Sequence, residues 1–418
     1  MKRKVMCAAL LASMAAPAEP AGARIKLVAL PQRQRVEIQL DNGAYTLVEE
    51  ERIVPLQKST AAGGNNQIDF SWSNATIDKN SIQFRPLAIR EGGKFRPIRT
   101  IRPAEGAAFD EIAVINVAYP PNENALVWEV FAHAGCAVKV RVSYLIRNLT
   151  RTFNYKALVN RAETHLLLRK YIQMRNYSGE DFGADHVWLG YGSKLMFPKA
   201  VGQQEEIKML LYRFAQVPVS KTFTFDWYAH GPLDADRPFA SRVQMHYVLT
   251  NDKANALGVI PLEPGKVRIF IRDARGGEAF LGEDWGKLTP IGDKMRLFVG
   301  QTRDVVCWRM VEFKEVRPRR GNLRDLEVVV RYEIANYKAE PATLDIIEQM
   351  NRTAKQYAGN PHGDAEWRRD PKTSKELTFT YEYGDANPVL HVRLPARPKD
   401  AKVAKTVVRF AFTIKNIW

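Results

Sequence analysis

Residues 326–334 read Leu-Glu-Val-Val-Val-Arg-Tyr-Glu-Ile, and this stretch decides the fold class. The apolar residues at every second position are Leu326, Val328, Val330, Tyr332 and Ile334. Successive side chains of a β-strand point to opposite sides, so this alternation is typical of a strand with one buried face. We therefore predict a half-buried strand here.

The same alternation recurs along the chain. It is seen at 68–72, 82–84, 140–144, 223–227, 243–249, 267–271, 377–383 and 410–414. Turn residues rich in Gly, Asn and Pro separate these runs. Only residues 341–357 show a helical pattern, and there we predict a strand first and a short helix or loop after it. Many short strands favour a mainly all-β protein with two to three β-sandwich domains and few short helices.

The length of the chain predicts more than one domain. A single core rarely supports more than about 250–300 residues, and this chain has 418. Segments rich in Pro and Gly at 102–106 and 231–238 suggest the boundaries. We predict a signal peptide at 1–23, an N-terminal β domain at 24–105, a middle β-sandwich at 106–235 and a C-terminal β-sandwich at 236–418.

The first residues have the pattern of a secretory signal. Lys2, Arg3 and Lys4 precede a short apolar run at 5–16, and small residues at 16–18 and 21–23 offer cleavage sites. The apolar run is shorter than the roughly 20 residues that span a bilayer. The sequence therefore predicts export to the periplasm, the cell surface or the extracellular space, and no transmembrane segment.

The chain is strongly basic, with a formal net charge of +16. Such a field favours acidic partners. The densest basic run consists of Lys314, Arg317, Arg319, Arg320 and Arg324. Guanidinium groups suit phosphate, sulfate or carboxylate, so this run is a candidate polyanion site, although a solvated hairpin would look the same. We expect an envelope protein or an acidic polysaccharide as the partner, and no nucleic acid because of export.

Several motifs in the middle of the chain resemble a known family. Residues 176–182 read Asn-Tyr-Ser-Gly-Glu-Asp-Phe, 249–251 read Leu-Thr-Asn, 257–267 read Leu-Gly-Val-Ile-Pro-Leu-Glu-Pro-Gly-Lys-Val, and 281–286 read Leu-Gly-Glu-Asp-Trp-Gly. Over about residues 40–418 the chain resembles the mucoidy-inhibitor-A-like proteins (domain of unknown function 4139), in a short form without their coiled-coil insertion. It departs from the family at Trp285 and Gly286, where Arg-Ile is usual. The resemblance implies a strand-rich cell-envelope protein and transfers no catalytic residue.

Other candidate sites are sparse. Asp181, Asp185 and His186 could bind a metal ion, although acidic residues are also ordinary in turns. Cys136 and Cys307 could form a disulfide in an oxidising compartment, which their spacing alone does not show.

The sequence lacks the Gly-x-Ser-x-Gly and His-Glu-x-x-His motifs, so we predict a non-enzymatic binding or structural protein without a cofactor. The alternative is an envelope hydrolase that acts on polysaccharide. Its carboxylates would be brought together by folding. The candidates are Glu180, Asp181, Glu283 and Asp284.

The end of the chain suggests self-assembly. The run at 406–418 alternates cleanly and has no proline. If this strand lies at the edge of a sheet, it could pair with another subunit and make a homo-oligomer through edge strands. The alternative is that it pairs internally.

Overall fold

The computed structural model describes residues 24–27, 33–39, 44–60, 64–73, 75–183, 187–191, 193–226, 239–353, 366–382 and 387–417. The predicted signal peptide lies outside them. The described residues form 27 strands, one short α-helix at 350–353 and short 3₁₀ helices at Lys79–Ser81 and Lys253–Asn255, which confirms a mainly all-β fold. No helix among them is long and apolar enough to cross a membrane.

The first sixteen strands are β1 (Arg24–Lys26), β2 (Arg35–Gln39), β3 (Thr46–Leu56), β4 (Asn66–Ser71), β5 (Gln83–Glu91), β6 (Lys94–Pro97), β7 (Thr100–Ile101), β8 (Phe109–Asp110), β9 (Ile112–Ala118), β10 (Ala125–Ala132), β11 (Cys136–Ile146), β12 (Leu149–Val159), β13 (His165–Asn176), β14 (Val187–Tyr191), β15 (Ser193–Met196) and β16 (Glu206–Pro218). The remaining eleven are β17 (Ser220–Asp226), β18 (Phe239–Thr250), β19 (Gly265–Arg272), β20 (Glu278–Gly286), β21 (Lys294–Arg320), β22 (Leu323–Asn336), β23 (Ala342–Ile347), β24 (Trp367–Arg369), β25 (Thr378–Glu382), β26 (Asn387–Leu394) and β27 (Ala404–Ile417).

The chain divides into two compact units. Unit 1 comprises residues 1–152 and 173–208, and unit 2 comprises 153–172 and 209–418. In unit 1, β4 pairs with β10 and β11 pairs with β5, so strands on both sides of the predicted boundary near residue 105 share sheets. In unit 2, β17 pairs with β18 and with β23, which joins strands from both sides of the predicted boundary near residue 235.

Unit 1 is a sandwich of two sheets. A four-stranded sheet has the order β1-β4-β10-β9, and a seven-stranded sheet has the order β15-β14-β2-β3-β11-β5-β6. Aromatic rings join the two sheets, because Trp128 of β10 lies 4.9 Å from Phe84 of β5, and Phe70 of β4 lies 5.7 Å from Tyr144 of β11. Ring pairs at these distances add to the stabilisation that burial provides.

Unit 2 is built around a nine-stranded sheet with the order β24-β27-β22-β21-β18-β17-β23-β26-β25. The stretch at 326–334 forms the middle of β22, and its five alternating apolar residues are buried as predicted. Phe379 of β25 lies 5.8 Å from Phe410 of β27, so the two ends of the sheet approach each other around one core. A separate five-stranded sheet has the order β16-β13-β12-β19-β20.

The C-terminal part confirms one prediction and distinguishes between two alternatives for the last strand. Strand β23 is followed by the helix at 350–353, as the pattern at 341–357 predicts. Strand β27, in contrast, is paired on both sides, with β22 and with β24. The segment at 366–374 runs along its outer side, where Asp370 donates its N–H to the carbonyl of Ala411. Of the two alternatives for the end of the chain, internal pairing therefore holds at residues 409–415, and residue 418 lies outside the described residues.

Candidate functional site

The predicted polyanion run lies at the tip of the hairpin formed by β21 and β22. Arg317 pairs with Glu327 at 2.8 Å, and Arg319 pairs with Asp325 at 3.3 Å and donates to Asn416. Two of the arginines are thus held by acceptors of unit 2 itself. The other three bases of the run are exposed: Lys314, Arg320 and Arg324. The hairpin is confirmed, whereas polyanion binding at its tip stays a prediction.

The acidic candidates in unit 1 have structural partners. Glu180 forms an ion pair with Arg33, and Arg33 also lies 3.4 Å from the buried carboxylate of Glu50. Asp181 accepts the main-chain N–H of Gln203 at 3.0 Å. Asp185 and His186 lie outside the described residues. Within the described ranges, no group of three or more His, Cys, Asp or Glu side chains could hold a metal ion.

The two cysteines do not form a disulfide. Both are free thiols: Cys307 is completely buried in the core of unit 2, whereas Cys136 is half-buried at the start of β11 in unit 1. Burial raises the pKa of both thiols above the usual value, so each is held in its protonated form at neutral pH.

The acidic pair in unit 2 is also engaged. Glu283 is exposed and is bonded by Lys266 and Arg268; the Lys266 hydrogen bond is the main cause of its lowered pKa. Asp284 accepts the N–H of Phe298 with one oxygen, at 2.7 Å, and the N–H of Trp285 with the other, at 2.8 Å. A general acid needs a raised pKa, and Glu283 shows the opposite. These two carboxylates tie strands together.

A cleft of about 760 Å³ lies beside Asp284 in unit 2, and we call it the Trp285 cleft. Strands β18, β20 and β21 and the loop at 287–293 line it. The lining residues are Gln244, His246, Asp284, Trp285, Lys287, Thr289, Asp293, Lys294, Met295, Arg296 and Phe298. The cleft combines a large aromatic side chain with several bases, which is a composition suited to a polar, negatively charged ligand.

The residues of the family resemblance hold the wall of this cleft. The buried Asn251 donates its side-chain N–H groups to the carbonyls of Ile260, Thr289 and Pro290, which ties down the loop at 287–293. The carbonyl of its side chain accepts the N–H of Gly258 at 2.9 Å. Gly258 has a φ of +74°, and a Cβ there would meet main-chain atoms at 2.5 Å, so only glycine fits. Asn251 and Gly258 therefore have structural roles in the motif, because they fix the loops beside the cleft.

The bases of the cleft differ in their exposure and in their hydrogen-bond and ion-pair partners. The indole of Trp285 is 58% exposed, and Lys287 and Lys294 are exposed beside it with no ion-pair partner among the described residues. Arg296 reaches across β18 and donates to Thr224 on β17, while its buried Nε has no hydrogen-bond partner within the described part. The guanidinium thus has an unused donor, which buried polar groups seldom have.

His246 of β18 also lines the cleft and packs edge-on against Phe298 at 5.6 Å. Its pKa is lowered to about 4, first by burial and then by the positive charge of Arg296. The imidazole is therefore neutral at pH 7, and the cleft has the three bases Lys287, Lys294 and Arg296 as its cations.

Sequence reasoning identified Asp284 and Trp285 but missed the remaining cleft residues. They come from strands β18 and β21 and from the loop at 287–293. The two strands are brought together by their register, in which His246 lies opposite Phe298. The available signal was Trp285 itself, a large apolar residue next to two acids in a strand that otherwise alternates poorly.

Comparison of the chain with models of protein families and with curated proteins found no match. The family resemblance therefore rests on the quoted motifs.

Proposed function

We propose that the protein is an exported, non-enzymatic protein of the cell envelope that binds an acidic polysaccharide in the Trp285 cleft. The observation that carries the proposal is the exposed indole of Trp285 beside three bases, of which Lys287 and Lys294 have no ion-pair partner among the described residues. An indole offers a flat apolar face for the apolar face of a sugar ring. Lysine and arginine supply charge for its carboxylate groups.

The carboxylates of the cleft support binding over hydrolysis. Both oxygens of Asp284 accept main-chain N–H groups, and one oxygen of Asp293 accepts the N–H of Lys294 at 2.7 Å. A carboxylate used in this way fixes the backbone. Such a cleft presents charge and an aromatic surface to a ligand, and it leaves proton transfer without a dedicated acid.

The test is calorimetric titration of the full chain with an oligomer of galacturonic acid. We expect tighter binding to it than to a neutral glucan oligomer or to polyglutamate. The glucan has sugar rings without charge and polyglutamate has charge without sugar rings, so the two show whether both features are needed. Trp285→Ala should weaken binding by about tenfold, since an aromatic contact contributes about 0.5–1.5 kcal/mol. Replacing Lys287 and Lys294 with Ser should flatten the salt dependence, because fewer counterions are released.

Two controls decide where the ligand binds. Tyr381→Ala removes an aromatic side chain that is 49% exposed and lies outside the cleft, and it should leave the affinity unchanged. Replacing Arg320 and Arg324 with Ser removes two bases from the hairpin tip. If that variant loses binding while the cleft variants keep it, the ligand binds at the tip and the cleft proposal is wrong. Shortening of the oligomer would favour the hydrolase alternative.

A further inference from the structure

Strand β9 is an edge strand with both faces exposed. It pairs with β10 on one side, and among the described residues its other side pairs with no strand. All of residues 114–118 are exposed, and Ile115 is 57% exposed. Val114, Val117 and Tyr119 continue this apolar surface. Large exposed apolar residues in an edge strand are a common signature of a strand that pairs with another chain.

The other sheet edges of the described residues are protected by charge. Strand β6 carries Lys94 and Arg96 and ends in Pro97, and β15 carries Lys194. The edges β1, β16, β20, β24 and β25 also contain charged residues. Charges and proline are the usual devices that block pairing at an edge. Of the described edge strands longer than two residues, β9 alone has no charged residue, so this edge is left open while the others are closed.

The sequence of β9 indicates what pairs with it. Residues 113–118 read Ala-Val-Ile-Asn-Val-Ala, which is nearly the same in both directions. In an antiparallel pair centred between Ile115 and Asn116, Ala113 would lie opposite Ala118, and Val114 opposite Val117. Residues of similar size therefore meet, and no like charges face each other at the axis. A twofold interface requires this kind of self-complementarity.

We propose that β9 pairs antiparallel with β9 of a second copy of this chain, which joins two four-stranded sheets into one eight-stranded sheet. This surface lies in unit 1 and its argument is independent of the Trp285 cleft. The ladder with β10 has an irregularity between Val114 and Asn116, so Ile115 is an extra residue there. Ile115 lies at the centre of the segment 113–118, so the twofold axis relates the bulge of one copy to the bulge of the other. The flanking Val114–Val117 pairs therefore stay aligned.

The experiment measures the mass of the full chain by light scattering and sedimentation across a range of protein concentrations. Wild type should approach twice the mass of one chain as the concentration rises. Ile115→Lys and Ile115→Glu should each weaken the dimer by about tenfold or more, since like charges then meet at the axis. An equimolar mixture of the two variants should restore the dimer, because opposite charges then face each other.

The control is Val259→Lys, which places the same charge at an apolar residue that is 61% exposed in unit 2. This variant should dimerise like wild type. Circular dichroism should show all variants folded, because Ile115 is exposed and packs little against the protomer. A wild-type chain that stays monomeric at every concentration overturns the proposal. So does a dimer that survives Ile115→Lys, or a mixture that fails to restore it.

Discussion

The two ends of the hairpin formed by β21 and β22 carry the same chemistry in opposite surroundings. At the core end, Nε and Nη2 of Arg309 lie 2.8 and 3.3 Å from the two oxygens of Glu348, and at the tip, Nε of Arg319 lies 3.3 Å from Asp325. The side chain of Arg309 is 6% exposed and that of Arg319 is 51% exposed. The two pairs therefore differ most in burial, and burial decides how strongly the loss of one partner affects stability.

Unit 1 repeats the arrangement of the core end. There the buried carboxylate of Glu50 accepts from Tyr144 and Arg52, at 2.7 and 2.9 Å, just as Glu348 accepts from Tyr332 and Arg309. Both units thus use arginine inside the fold. Each such pair contributes one positive and one negative charge, so the net charge of +16 comes from other bases. The bases that matter for binding are those without an acceptor among the described residues, such as Lys287.

The largest effect is expected at the core end. Arg309→Met should lower the free energy of unfolding by about 3–5 kcal/mol, because it leaves the fully buried Glu348 without its cation. Denaturant unfolding measures the loss. The double variant Arg309→Met with Glu348→Leu should recover most of it, since an apolar pair removes the uncompensated charge. A double variant as unstable as Arg309→Met would mean that packing, and not charge, is the cause.

The sequence predicted the architecture better than the sites. Alternation alone located β22, since a strand buried on one face must repeat every two residues. Val305, Cys307 and Arg309 occupy every second position of β21, and all three are buried. The alternation of the first two was therefore a usable sign that Arg309 is buried as well. Its acceptor Glu348 lies on another element, and no local pattern announces that pairing. Strand β9 escaped notice because a strand exposed on both faces does not alternate.

A middle-sized effect is expected at the wall of the Trp285 cleft. The pKa of His246 is lowered to about 4 in the folded chain, against about 6.5 when unfolded. The unfolded chain therefore binds more protons between these values, and stability falls as the pH drops from about 6.5 to about 4. After a discount for partial exposure, the loss is roughly 2 kcal/mol.

Denaturant unfolding at several pH values compares wild type with His246→Phe, which keeps an aromatic ring against Phe298 but cannot titrate. The difference in stability between the two proteins should change in favour of the variant as the pH falls. If the two curves run parallel from pH 6.5 to 5, His246 binds protons equally in the folded and unfolded chain, and its pKa is not lowered by the fold.

The smallest effect is expected at the tip, and it completes the comparison with the core end. Arg319→Ser should change the free energy of unfolding by less than about 1 kcal/mol, because water solvates the charges that remain. A double-mutant cycle with Asp325→Asn should give a coupling of the same small size, and added salt should reduce it further, since exposed pairs are screened. A coupling that withstands salt would show that Asn416, which accepts from Arg319 and donates its N–H to Asp325, anchors both residues in a rigid network. The tip would then be a preformed structure like the core end, and its two exposed arginines, Arg320 and Arg324, would be presented to an anion from a fixed position.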